Sequence, residues 1–217
     1  MDSGPPDAAG PPRGLRERQK QERERRIVAA ASALFAEQGY AATAMEQIAG
    51  RAGLAVGTVY NYFDYKPDLL LRVVMRGRER QMAAGAAIVR DPPPEPVEAI
   101  CRLLLTQVEG ATRHAKRLWR VILATATLEP DTFGREYRKT QAQIVEQIEA
   151  LLSALRARGL LSPAADLHEA AQILFVVLSM TFQRFVADET ATARTAAAEL
   201  RPKVRLIVEG LRSPALA

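Results

Sequence analysis

Thr58, Tyr60, Asn61 and Tyr62 put an unusual density of hydrogen-bonding side chains onto one short stretch of chain. A helix that merely faces water more often carries Glu, Lys and Gln. Gly57, beside them, leaves room for a partner's backbone to come close. Just upstream, Ala49 supplies a small contact residue and Gly53 a residue able to turn the chain through the left-handed region. Ile48, Ala52, Leu54 and Val59 are spaced to lock two helices together. Glu46, Gln47, Gly50, Arg51, Gly57, Thr58 and Asn61 fall between them and face outward. Met45–Phe63 therefore reads as a helix-turn-helix whose second helix meets a polar partner. A plain helical hairpin shares the spacing. The chemistry of the second helix is what favours the first reading.

The elements that position this segment read as helices throughout, an all-α chain without sustained alternation or β-branched runs. The first spans Leu15–Gln38, with Ile27, Ala30, Ala31, Leu34 and Phe35 on one face and Gly39 at its end. Thr43 is placed to cap the second helix, Ala44–Ala52, with Glu46 completing a capping box. A third helix covers Val56–Phe63. Pro67 opens a fourth that reaches Arg90. Beyond the stiff turn 91–96, further helices span Pro96–Thr112, His114–Leu128, Asp131–Arg158, Pro163–Ala187 and Ala191–Arg212. Residues 1–14, rich in Pro, Gly, Ala and Asp, read as a disordered tail.

Composition removes several function classes. The 217 residues are 48% hydrophobic and 25% charged, an ordinary globular balance. No apolar run reaches the roughly 18 residues of a membrane span, and the start Met1-Asp2-Ser3-Gly4 lacks the basic and apolar regions of a signal peptide, so a cytoplasmic location is expected. The one cysteine, Cys101, sits among Ile100, Leu103 and Leu104 and reads as a small buried hydrophobe. His114 and His168 lie far apart without metal-type spacing. No glycine-rich phosphate loop, Ser-centred elbow or His-Glu-x-x-His occurs, so no enzyme, metal or cofactor is expected. The net charge is +5, and Arg13–Arg26 alone holds seven basic residues against three acidic ones. That segment reads equally as a solvated helix face with pairs such as Glu22–Arg26, or as an arm along nucleic-acid phosphates.

Phe35-Ala36-Glu37-Gln38-Gly39-Tyr40, Thr43, Ile48-Ala49, the run Ala52–Phe63 and Lys66-Pro67-Asp68-Leu69-Leu70 together resemble the TetR/AcrR family of transcription regulators. The resemblance covers about Arg25–Leu71. It implies a three-helix DNA-binding domain, here residues 15–66, and a six-helix ligand-binding and dimerisation bundle, residues 67–217. It implies that Thr43 and Lys66 contact phosphate and that Val56, Gly57, Thr58 and Asn61 enter the major groove. Val56 would meet a thymine methyl, and Asn61 an adenine or a phosphate. Tyr60 and Tyr62 would contact the backbone, one of them sharing in the core with Phe63. Arg51 is a further phosphate candidate beside a plain solvated role. Ala55 stands where relatives often carry a capping Ser or Thr, and Tyr65 where they often carry Ser or Asn.

In the later helices, Leu167, Ala171, Leu174, Leu178, Phe182 and Phe185 form one stripe, and Ile173, Val176, Val177 and Met180 another. Leu200, Val204, Ile207, Val208 and Leu211 give the last helix a second apolar face. A four-helix interface in a homodimer, or one thick internal core, would satisfy both. One short recognition helix reads few base pairs, which favours the homodimer. Leu104, Trp119, Ile122, Leu123, Phe133, Tyr137, Phe175 and Met180 are candidate lining for a pocket taking a hydrophobic or aromatic small molecule, each also suited to plain core. His114, Lys116, Arg117 and Arg120 are expected at the surface. The expected function is a repressor released from a palindromic DNA operator by such a ligand. An activator of the same fold and an architectural DNA binder remain alternatives.

Overall fold

The computed structural model describes residues 13–109, 113–130 and 132–212. Among them nine helices and no strand occur: α1 (Arg13–Gln38), α2 (Met45–Ala52), α3 (Val56–Tyr60), α4 (Lys66–Arg90), α5 (Pro96–Leu105), α6 (Arg113–Leu128), α7 (Thr132–Ala157), α8 (Leu167–Ala187) and α9 (Ala193–Arg212). The chain is all-α, as its periodicity implies. Residues 1–12 of the expected tail lie outside the described residues, while Arg13 and Gly14 already belong to α1. Contacts divide the chain into two units, residues 1–69 and 70–217.

In the first unit, Ile27, Ala31 and Phe35 of α1 meet Ile48 and Ala49 of α2 and Val59 of α3, all fully buried. Tyr40 closes one end, its ring 5.3 Å from that of Phe35. The start of α2 differs from expectation by one residue. Ala44 is the N-cap, and Gln47 Oε1 accepts its backbone N–H at 2.8 Å. Glu46 takes no part. Gln47 wins because it lies three residues beyond the true N-cap, the reach a reciprocal cap requires. α3 is shorter than expected. The Tyr62 amide bonds back three residues to Val59 O, so the helix tightens into a turn after Tyr60.

In the second unit, α5, α7, α8 and α9 share one apolar core, with Ile100, Leu104, Ile148, Leu151, Leu174, Leu200 and Val204 at its centre. α6 packs against α7 and α8. α5 ends at Leu105, not Thr112. The Thr106 and Gln107 amides bond three residues back, and the Thr106 hydroxyl donates to Leu103 O at 2.7 Å, which converts the helix into a tight turn. α8 starts at Leu167, not Pro163, because the Asp166 carboxylate accepts the Glu169 amide. α9 starts two residues later than expected, where the Thr192 and Thr195 hydroxyls each accept the other's amide. Asp131, the expected start of α7, lies outside the described residues.

Two stripes on α8 part company. Leu167, Ala171, Leu174, Leu178 and Phe185 are buried, whereas Ile173, Val176 and Met180 are each about half exposed or more. On α9 the apolar face mostly follows the internal-core alternative. Leu200, Val204 and Val208 belong to the protein's own core, and the exposed apolar residue is Leu206. α8 is also, among the described residues, the helix long and apolar enough by composition to cross a membrane, with 44% of that stretch buried inside the protein. This departs from the sequence reading, because small polar residues such as Ser179 and Thr181 interrupt the apolar run without adding charge.

Candidate nucleic-acid interface and cavity

The turn between α2 and α3 rests on Gly53. It adopts φ +64°, and its N–H and that of Leu54 return to Gly50 O and Ala49 O at 3.1 and 3.0 Å. That arrangement satisfies the last carbonyls of α2 and needs the left-handed conformation that glycine takes without penalty. Arg26 of α1 donates to the carbonyls of Ala52 and Gly53. It thereby leaves the expected Glu22 pairing, and Glu22 binds Arg25 instead at 2.5 Å. Sequence periodicity gives no sign of this latch, since its partners lie 26 and 27 residues away.

The outward set is disposed as its spacing requires. Gly57 and Asn61 are exposed, Val56, Thr58 and Tyr62 half-buried, Val59 buried, and Tyr60 is 43% exposed. Ala55 is the N-cap of α3 in extended conformation and its side chain caps nothing. Phe63 is core. Arg51 pairs with Glu37 across 2.6 Å through its second nitrogen, and this bond holds the Glu37 carboxyl below its ordinary range.

Thr43 and Lys66 are engaged within the protein. Thr43 is only 2% exposed. Its hydroxyl donates to Gly39 O at 2.8 Å and accepts from Gln38 Nε2 at 3.2 Å. Its expected role as N-cap is therefore corrected. Lys66 Nζ donates to Tyr40 O at 3.0 Å and Thr43 O at 2.9 Å, and lies 4.4 Å from the centre of the Tyr40 ring. Both side chains fasten the loop 39–44. That loop borders an open groove of about 580 Å³ at the start of α2, which Tyr60, Tyr65 and Lys66 also line.

The second unit contains a cavity of about 540 Å³. Of the expected lining, Trp119, Leu123, Tyr137 and Phe175 face it. Leu104, Ile122 and Phe133 do not. Each is 1% exposed or less and serves as core, and Met180 lies at the surface. Apolar character alone does not distinguish wall from core. The wall also carries polar groups that sequence reasoning missed: Arg78, Gln107, Arg120, Arg138, Gln141 and Gln183. Trp119 and Phe182 meet edge-to-face at 5.0 Å on one side.

Two residues expected at the surface act at the end of α8. Lys116, 2% exposed, donates to Asp188 O and Ala191 O at 2.8 and 2.6 Å and lies over the Phe185 ring. Arg120 donates to Val186 O at 2.7 Å and pairs with Glu189. Cations suit a helix C-terminus, whose last carbonyls lack partners. Arg117 is solvent-facing as expected, and the side chain of His114 lies outside the described residues. Cys101 is buried, and loss of water pushes its thiol up to about 11.

Residues 27–73 match the family described as bacterial regulatory proteins, tetR family. The chain is 35% identical over 124 residues to the HTH-type transcriptional repressor KstR of Rhodococcus jostii, covering 54% of this chain and 56% of that protein. It is 46% identical over 128 residues to the HTH-type transcriptional regulator HbdR of Aromatoleum sp., covering 56% and 46%. The chain thus spans about half the length of these relatives. In three dimensions it resembles FadR of Thermus thermophilus, a TetR-family repressor solved in complex with lauroyl-CoA, with TM-score 0.68, 26% identity and coverage of 89% and 98%. The sequence match to the TetR family is concentrated in the first unit, and the fold of the whole chain resembles that of a TetR-family repressor.

Proposed function

We propose that this chain is a homodimeric DNA-binding transcription regulator, a repressor that leaves a palindromic operator when a small, largely apolar molecule fills the cavity of the second unit. The observation that carries the reading is the outward set on α3. Gly57 and Asn61 are exposed and Val56 and Thr58 half-buried, while the buried Val59 holds the helix in place. Val56, Thr58 and Asn61 read base edges, and Tyr60 and Tyr62 flank them on the phosphates. The groove at the start of α2 receives a further phosphate. There Thr43 and Lys66 shape the loop, and contact with the phosphate falls to the helix amides.

Ile173, Val176 and Met180 of α8 with Leu206 of α9 supply the dimer surface. Two recognition helices are needed because one reads too short a site for useful specificity. Residues 15–66 serve as the DNA-reading part and 67–217 as the effector and dimer part, in the cytoplasm. α4 carries the chain from one to the other, so effector binding that favours a different position of α4 lowers operator affinity. Repression is supported by the similarity to the repressor KstR, and a small-molecule effector by the FadR repressor's complex with lauroyl-CoA.

Alanine at Thr58 and Asn61 tests the reading. Each substitution is expected to cost about 1–3 kcal/mol of operator binding and to leave non-specific binding unchanged. Equal loss on operator and random DNA contradicts base reading.

A further inference from the structure

We infer that the cavity of the second unit takes a carboxylic acid with an apolar body, and that Arg78 is the residue that receives its carboxylate. The inference rests on reading this cavity as the effector site.

Three arginines reach the cavity wall, and two are already engaged. Arg120 is held by Glu189 and Val186 O. Arg138 donates to Pro130 O and is exposed. Arg78 differs from both. It is 8% exposed, and its sole hydrogen bond among the described residues runs to Thr140 O at the long distance of 3.5 Å. No carboxylate among them pairs with it. Burial weakens its hold on the proton, an effect that the neighbouring Tyr137 opposes. A guanidinium has five N–H donors, so most of this fork is unused. A buried, unpaired cation is costly to keep in a fold unless something binds it.

The surroundings define what would bind. Tyr137 and Gln141 border the same space and offer neutral donors beside the guanidinium. Elsewhere the wall mixes polar groups with an apolar patch of Trp119, Leu123, Phe175 and Phe182. A carboxylate matches the guanidinium fork in a bidentate pair, and the aromatic wall takes the body of the acid. The volume of about 540 Å³ falls within the roughly 300–1,000 Å³ typical of small-molecule sites.

The test is calorimetric titration of the full chain, without DNA, using decanoate, 4-phenylbutyrate and 2-naphthoate, each beside its primary alcohol. At least one acid is expected to bind about tenfold or more tighter than its alcohol. Arg78→Met is expected to abolish that preference and, without ligand, to raise the melting temperature by removing an unpaired buried charge. Arg78→Gln replaces it as the test if Arg78→Met does not fold. Three outcomes overturn the inference: no acid binds, every alcohol binds as tightly as its acid, or the preference survives the loss of Arg78. Operator binding is measured separately. An acid that binds through Arg78 yet leaves operator affinity unchanged contradicts the effector reading and spares the Arg78 assignment. Absence of operator binding contradicts the regulator reading alone.

Discussion

The Arg26 guanidinium lies against Gly53 so closely that its Nη2 atom would stand 2.8 Å from a Cβ placed there. The same nitrogen donates to the Gly53 carbonyl at 3.3 Å. Helix α1 thereby secures the turn that sets the angle between α2 and α3. Gly53→Ala is expected to lose about 1–2 kcal/mol from the left-handed backbone alone, and more from displacing Arg26. Thermal unfolding followed by circular dichroism checks it. In a double-mutant cycle with Arg26→Ala the two losses are expected to be non-additive, because each removes part of one contact. Simple additivity would show that the latch carries no energy.

Lys66 separates a structural cation from a phosphate-binding one. Lys66→Met is expected to destabilise the first unit by about 1–3 kcal/mol, by removing a charged donor from the Tyr40 and Thr43 carbonyls. Operator affinity is expected to fall with it, but the slope of log affinity against log salt stays the same. A lysine that neutralised a phosphate would reduce that slope by about one unit on substitution.

The basic half of α1 gives the opposite expectation. Arg16, Arg18, Lys20 and Arg23 are exposed. Changing all four to Gln is expected to flatten the salt slope by up to roughly 3–4 units if this helix face lies along phosphates. An unchanged slope assigns it to solvent.

Cys101 provides a pH test of the core. Its thiol is pushed up to about 11 by burial. An acid whose folded pKa is raised keeps its stabilising contribution below the unfolded value, near 8.5. Above that the unfolded chain releases the proton first, so stability declines as pH rises toward about 11. Native protein is expected to resist a disulfide-exchange reagent at pH 8, with labelling only on unfolding. Rapid labelling of native protein contradicts this burial.

Much of the α2–α3 segment was legible because its signals are local. Ala49, Gly53 and Val59 lie within eleven residues, and each does what its type and spacing suggest. Side chains with distant partners were not legible. Arg26, Lys66, Lys116 and Arg78 bond to residues between 23 and 75 positions away, and a helical period carries no trace of such pairs. The same limit separates Trp119, at the cavity wall, from Leu104, in the core. On α9 the pattern found the apolar face correctly, yet Val204 and Val208 turn it toward the protein's own interior.

Selection of bound sequences from random double-stranded DNA, followed by anisotropy titration at physiological salt, tests the central claim most directly. The account predicts one enriched palindrome, bound at least about a thousandfold tighter than random DNA and by a dimer. No enriched sequence, or an affinity ratio near one, would contradict it.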